Sequence, residues 1–498
     1  MIVSSSQRKN SQPMLRGRAF RPEARSRNLA FGAKSSPEVS SSTLYPLAAR
    51  QSRVLLMVLI ILCATAAQAA EQSAVVRRVL DNGLTVLVKP EKGSGLVAVT
   101  AIVRAGAGQE SIQNAGIGNF VTNLVLASTR LSSAEEVAKI ADEVGGNIEA
   151  QWNPDFTVIR AVTTSARFNE AMNLIGECLT EANFESKWVE QIRTDLLRQL
   201  KEQSDSLFNR TYDTMRELLY EDNGYRRPRL GFERTVRVAA SQDLQKFYSN
   251  YYVPNNTVIA VVGDVTVERV LDRAGKAYAG VEAKSLPLDR GVQDERLDRP
   301  KLKSSEAELS IAYLMVGWLA PAVGTPDYPA MAVASNALGG GKGSIMFQEL
   351  RQKRGIGYDV GTIYPRQKYQ SHVLAYITTD PLKSGSLFTA RRSLEDVKAA
   401  LIDEVEKLKS QPLSAQNLER ARGYTIGSYA LEHQRMHERA FHLAWLEAVG
   451  VGYDYDRKFA EEVQKVSAED VMRVARKYFT NCATVLLVPK TNSPASSE

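Results

Sequence analysis

The eight residues G-I-G-N-F-V-T-N at positions 116–123 set Asn119 and Asn123 four residues apart, with Thr122 between them, at the start of an apolar, helix-compatible run. Side chains at i, i+3 and i+4 share one helix face. That spacing suits a zinc site with imidazoles at both ends and an acid between, yet the chemistry on offer is two amides and a hydroxyl. An amide oxygen is a weak zinc ligand, and a threonine hydroxyl is a very poor base near neutral pH. Taken alone, N-x-x-T-N reads as a cap or a hydrogen-bonded polar patch.

A second constellation lies in F-Q-E-L-R-Q-K-R-G-I-G-Y-D-V, residues 347–360, where Arg351 and Tyr358 are separated by Gly355 and Gly357. A helix carrying Arg351 that stops at Gly355 and turns into a strand at Tyr358 would aim both side chains into one cleft. Taken singly, they would be a surface arginine and a core aromatic. The preceding G-G-G-K-G-S lacks the G-x-x-x-x-G-K-[ST] order of a phosphate loop and reads as a turn into a helix at Ile345. All four histidines, His372, His433, His437 and His442, fall in the second half. His433 and His437 have metalloprotease spacing, but Gln434 and Met436 stand where either orientation of such a motif needs its glutamate. Glu432 and Glu438 flank the pair and leave room for weak metal binding, although a polar helix face is the ordinary explanation. No Ser-His-Asp or Cys-His spacing is apparent.

The elements that must carry these residues fall into two similar halves. Asp81-Asn82-Gly83 between β-rich runs predicts a hairpin, followed by a strand in G-L-V-A-V-T-A-I-V-R. Then come the helix of the opening octet, a helix over about 133–144, and strands in N-I-E-A-Q-W and F-T-V-I-R-A-V-T-T. A long charged helical region over about 187–220 precedes a closing strand in N-N-T-V-I-A-V-V-G-D. Residues 281–306, charged and polar with Pro287 and Pro300, read as a linker. The second half has strand signals in E-L-S-I-A-Y-L-M-V-G-W and near 357–363 and 371–379, helical signals over 328–338 and after 387, and a final strand. Y-Y-V-P-N-N-T-V-I-A-V-V (251–262) is echoed by Y-F-T-N-C-A-T-V-L-L-V near the end, each closing a unit of about 200 residues, which reads as a duplication.

The chain has 498 residues, 44% of them hydrophobic, as expected of a folded protein with more than one domain. Its net charge of +7 belongs to the leader: residues 1–53 hold ten Lys/Arg against two acids, a local +8 that leaves the remainder at −1. The body therefore gives no composition-level reason to expect nucleic acid. Arg50 and Arg53 precede a ten-residue apolar block (54–63) and then A-T-A-A-Q-A-A, a secretory signal with cleavage expected near Ala69 or Ala70. The weakly polar stretch 54–70 leaves an uncleaved anchor as the alternative. Cleavage would leave Cys178 and Cys482, expected as two buried free thiols.

On these motifs the chain resembles the insulinase/pitrilysin-like zinc peptidases, in the branch that includes mitochondrial processing peptidase, over about residues 75–490. Such proteins carry an inverted motif, His-x-x-Glu-His, after a Gly-rich approach. The resemblance implies that Asn119 and Asn123 replace the two histidine ligands and that Thr122 replaces the glutamate that activates water. The family's third ligand, a glutamate on a later helix, falls in ungapped register on Gln199 in L-L-R-Q-L-K-E. F-Q-E-L-R-Q-K-R-G-I-G-Y-D-V matches the family's Arg–Tyr signature. By resemblance, then, Arg351 and Tyr358 grip substrate carbonyls beside the scissile bond and steady the developing oxyanion.

The expected fold is α+β, with two homologous domains, each a mostly antiparallel sheet packed with helices, forming half of a clamshell. The expected boundaries are 1–70 for leader and signal, 71–285 for the first domain, 286–306 for a linker, 307–492 for the second domain and 493–498 for a tail. The expected function is that of an exported, non-metal-binding subunit of a heterodimeric zinc endopeptidase, inactive alone, in a bacterial periplasm. No cofactor is expected in this chain; zinc is expected in a partner subunit with an intact His-x-x-Glu-His motif. Extended or unfolded peptides are the expected substrates. The alternative is a structural or peptide-binding assembly subunit, like the core subunits of a respiratory complex that share the fold.

Overall fold

A computed structural model describes residues 74–490 apart from 147, 222, 288, 290–294 and 381–392. The expected leader, signal segment and tail lie outside the described residues. The first half supplies strands β1 (Val76–Val79), β2 (Thr85–Pro90), β3 (Leu96–Val103), β4 (Ile148–Trp152), β5 (Thr157–Thr164) and β6 (Thr257–Gly263). The second supplies β7 (Lys301–Ala307), β8 (Ala312–Ala320), β9 (Asp359–Ile363), β10 (Ser371–Thr379) and β11 (Ala483–Pro489). The sheets run β1-β2-β6-β3-β5-β4 and β7-β11-β8-β10-β9.

Beyond the β1–β2 hairpin the two sheets have one topology. In each, the first strand pairs parallel with the closing strand and every further pairing is antiparallel. β6 and β11, the two strands of the sequence echo, hold equivalent places, so the duplication is structural. The chain is built as two α+β repeats. The segment expected as a linker has no regular structure among its described residues until Lys301, where β7 begins. The region expected as helical over about 187–220 consists of two helices, Ser186–Asp205 and Leu207–Leu219, meeting at Ser206, whose hydroxyl caps the second.

Each half lends a helix to the other's sheet. Met436–Ala448 lies on β3 and β6, while Leu207–Leu219 lies on β8 and β11. Strand periodicity explains how one sheet serves both layers. Val97, Val99, Ala101 and Val103 of β3 join the core formed with the first half's own helices. Ala98 and Ile102 face the opposite way, in a core that includes Leu443 and Leu446. Burial on both faces is why β3 and β6 read as near-continuous apolar runs. On the other side, Met215 and Leu219 pack with Met315, Leu319 and Val485. A polar joint sits beside them: buried His372 lies 2.9 Å from the Tyr212 hydroxyl at Nε2 and 2.8 Å from the Tyr220 hydroxyl at Nδ1. Burial, with Arg216 nearby, pushes this imidazole down to about 3, so it joins the halves as a neutral ring. Cys178 and Cys482 are free thiols, the first buried and the second partly so.

Candidate functional site

The octet forms the helix Ile117–Leu124. Its N-cap, Gly116, sits in the left-handed region at φ 107° and has no side chain with which to cap. Glu110 does the capping from six residues upstream: its Oε1 accepts from the Gly116 N–H at 3.1 Å and the Gly118 N–H at 2.7 Å. Arg227 closes over this turn by donating to the carbonyls of Ala107 and Glu110. A Cβ at Gly118 would overlap the Trp152 ring, so glycine there is what lets β4 pack against the helix.

Asn119 is 4% and Thr122 1% exposed, and Asn123 is half-buried. The Asn123 amide donates to the Asn119 backbone carbonyl at 2.8 Å and to its side-chain oxygen at 3.3 Å. Asn119 Nδ2 finds no acceptor among the described residues. Thr122 donates to the Gly118 carbonyl at 2.8 Å and lies 3.3 Å from the Thr157 hydroxyl. Burial pushes the adjoining Tyr252 phenol up to about 12, with the hydroxyls of Thr157 and Thr122 pulling the other way. Gln199, half-buried, rides on the Ser186–Asp205 helix, which packs against the octet helix with Arg193 over the Phe120 ring. All four positions thus carry neutral groups, and the Thr122 proton is committed to a backbone carbonyl. This donor set does not fit zinc, which wants imidazole, thiolate or carboxylate and a base beside its water.

Glu110 gives no sign in the sequence beyond an acid ahead of an uncapped Gly-rich helix start. Burial raises its carboxyl to about 7 from the ordinary 4.5, with the Gly118 and Gly116 N–H groups and Arg227 pulling down. A carboxyl raised by folding favours the protonated folded state, so its stabilisation is full below pH 4.5 and fades as pH rises to 7. We expect Glu110→Gln to flatten that slope, worth on the order of 3 kcal/mol across the window, in denaturant titrations at a series of pH values.

In the second half, Phe347–Lys353 winds as a π-helix, a conformation used sparingly and often near functional sites. Arg351 is exposed and lies 5.1 Å from the Phe347 ring centroid. The chain reverses through Gly355 at φ 63° and Gly357 at φ 79°. Gly357 is held to glycine twice, since a Cβ would also stand 2.6 Å from Ile377. Tyr358, 45% exposed, follows with its N–H donating to the Thr378 carbonyl at 2.7 Å, and β9 starts at the next residue. The expected helix–Gly–strand reversal is therefore present. In the order of the repeat it stands where the first half has the helix Ala134–Glu143 and β4.

The histidines correct one expectation. His433, His442 and Asp456 place ligand-capable atoms within 4.8 Å of one another, so a group able to coordinate a metal does exist in this chain. His437, the partner that sequence spacing offered to His433, is not part of it and lies 3.3 Å from Glu438. The reason is the backbone: Ala415–Glu432 ends at His433, Met436–Ala448 folds back, and Tyr455–Lys465 adds Asp456. Separations of nine and twenty-three residues form no motif.

Comparison with known proteins agrees with this architecture. Residues 85–231 match the profile "Insulinase (Peptidase family M16)" and residues 240–423 match "Peptidase M16 inactive domain". The chain belongs to the insulinase/pitrilysin (M16) peptidase family and includes an inactive-type domain. It is 22% identical over 420 residues to the uncharacterized zinc protease YmxG of Bacillus subtilis, covering 84% of this chain and 99% of that one. It is 24% identical over 428 residues to the zinc protease PqqE of Helicobacter pylori, covering 82% and 92%. Among solved structures, a Helicobacter pylori protease superposes with TM-score 0.77 at 21% identity, over 84% of this chain and 100% of the other. A peptidase M16 inactive domain from Pseudomonas fluorescens gives 0.75 at 19%, over 84% and 98%.

Proposed function

We propose that this chain is the subunit of a two-chain zinc endopeptidase whose first-half positions 119, 122, 123 and 199 hold no catalytic zinc, and that it lends Arg351 and Tyr358 to a site whose catalytic metal a related partner holds. The observation that carries the reading is an asymmetry. Neutral amides and a hydroxyl fill the metal positions of the first half, with Thr122 and Asn123 bonded within their own helix, while Arg351 and Tyr358 of the second are exposed on either side of the glycine reversal. The partner would bring the His-x-x-Glu-His motif and the metal that activates water. This chain's share is binding and charge: the guanidinium fork can hold two acceptors, and the phenol donates one hydrogen bond to a peptide carbonyl or its oxyanion. Extended peptides are favoured because β9, which begins beside Tyr358, is an edge strand among the described residues, where a peptide could add as a further strand. The signal-like residues 54–70 support an exported complex.

The isolated chain should show no peptidase activity, and its metal content after chelator washing should not depend on Asn119 and Asn123. Elemental analysis of wild type beside an Asn119→Ala, Asn123→Ala variant is the test. One tightly held zinc per chain that vanishes in the variant would overturn the reading.

A further inference from the structure

Away from both sites, the turn after the Ala415–Glu432 helix poses a problem in proton counting. His433 Nδ1 lies 2.7 Å from the Tyr429 backbone oxygen, which can only accept, so Nδ1 carries a proton. His433 Nε2 lies 2.7 Å from Asp456 Oδ1, which also accepts a hydrogen bond from the Tyr429 hydroxyl at 2.5 Å. A neutral imidazole has a single N–H, here already committed. The contact between Nε2 and the carboxylate therefore needs a further positive centre between them: a second proton or a metal ion.

We propose that this is a divalent transition-metal site, at which an ion of the zinc or copper class replaces the proton shared by His433 and Asp456 and recruits His442 as a third ligand. Two imidazoles with a carboxylate suit these ions and not magnesium or calcium, which prefer all-oxygen shells. The Nδ1–H bond to Tyr429 is the outer contact that commonly orients a ligating histidine and fixes Nε2 as the metal-facing nitrogen. His442 is 2% exposed, and its Nδ1 has no partner among the described residues. Its Nε2 lies 3.6 Å from Glu432. The two rings are stacked, with centroids 4.1 Å apart and planes 18° from parallel, so the His442 ring has to turn out of the stack to reach the same ion. Neighbouring ligand atoms around a tetrahedral ion sit roughly 3.3–3.5 Å apart, given bonds of about 2.0–2.1 Å. The 4.8 Å cluster would accordingly contract on binding.

Charge sets the conditions. Facing the imidazoles are Asp456 from one helix, Tyr429 and Glu432 from another, and Arg366, which is paired with Glu432 at 2.7 Å. Arg439 donates to the His433 carbonyl at 3.1 Å. Arg366 opposes a dication, and the two carboxylates offset it. Burial disfavours charge on His433, yet the hydrogen bond and charge of Asp456 outweigh it and hold this imidazole above its ordinary value. A metal ion here would take the place of the proton that the 2.7 Å contact between His433 Nε2 and Asp456 requires. A bound ion would brace three helices, including the one that crosses onto the first half's sheet.

The test titrates the chelator-washed full chain with Zn²⁺ and with Co²⁺, reading stoichiometry, proton release and the Co²⁺ visible bands. One ion per chain, about one proton released, and loss of binding in His433→Ala and in Asp456→Asn are expected. His437→Ala and Asn119→Ala should bind as wild type does, which separates this site from the octet. Because a variant could fail to fold, histidine NMR of wild type is read in parallel. Zn²⁺ should shift the His433 and His442 ring resonances and leave those of His437 in place. Absence of saturable binding, binding that survives both His433→Ala and Asp456→Asn, or shifts confined to His437 would overturn the proposal.

Discussion

Peptide cleavage by a reconstituted complex should fall roughly 100- to 1000-fold when Arg351 in this chain becomes alanine, with the two subunits still associated. One well-placed donor to a developing oxyanion is worth about 2.7–4 kcal/mol, which sets the scale. Tyr358→Phe should have the same direction and a smaller ceiling, because it removes one hydroxyl and not a charged fork. Thr122→Ala is the internal control. Its hydroxyl donates to the Gly118 carbonyl and faces Thr157, with no proton to give or take in the reaction. Near-wild-type turnover with Arg351 and Tyr358 both altered would place this chain among the assembly subunits.

The second large effect concerns stability. Leu446, 2% exposed on the Met436–Ala448 helix, packs in the core shared with β3 and β6 of the other half. Leu446→Ala should cost about 2–5 kcal/mol, the usual range for a large-to-small change in a well-packed core. Since each half depends on a helix from the other, the two should unfold in one transition, before and after the change. Denaturant melts followed by fluorescence and by circular dichroism check this. A variant in which one half melts early while the other stays folded would show that the exchanged helices do not couple them.

Local chemistry was legible in the chain, and long-range arrangement was not. Asp81-Asn82-Gly83 forms its hairpin because the glycine supplies a left-handed residue at φ 84°, a requirement set within three residues. The octet helix and the Gly355–Gly357 reversal are equally local. The echo between 251–262 and the last strand survived because β6 and β11 fill the same slot in equivalent sheets. The exchange of Leu207–Leu219 and Met436–Ala448 between halves left no local trace: an amphipathic helix records that it has a partner, not which one. Glu110 was hidden because its role is tertiary, reaching past Gly116 to bare N–H groups. For the same reason sequence spacing offers His433 only His437, while its neighbours in space are His442 and Asp456.

If this chain completes another chain's active site, mixing the two should create an activity that neither has alone. Hydrolysis of an unfolded peptide is measured for this chain alone, for a zinc-bearing relative with an intact His-x-x-Glu-His alone, and for their equimolar mixture. Hydrolysis in the mixture should run well above the sum of the separate chains and be lost when this chain carries Arg351→Ala. Hydrolysis by this chain alone after chelator washing, or a mixture no faster than the relative by itself, would contradict it.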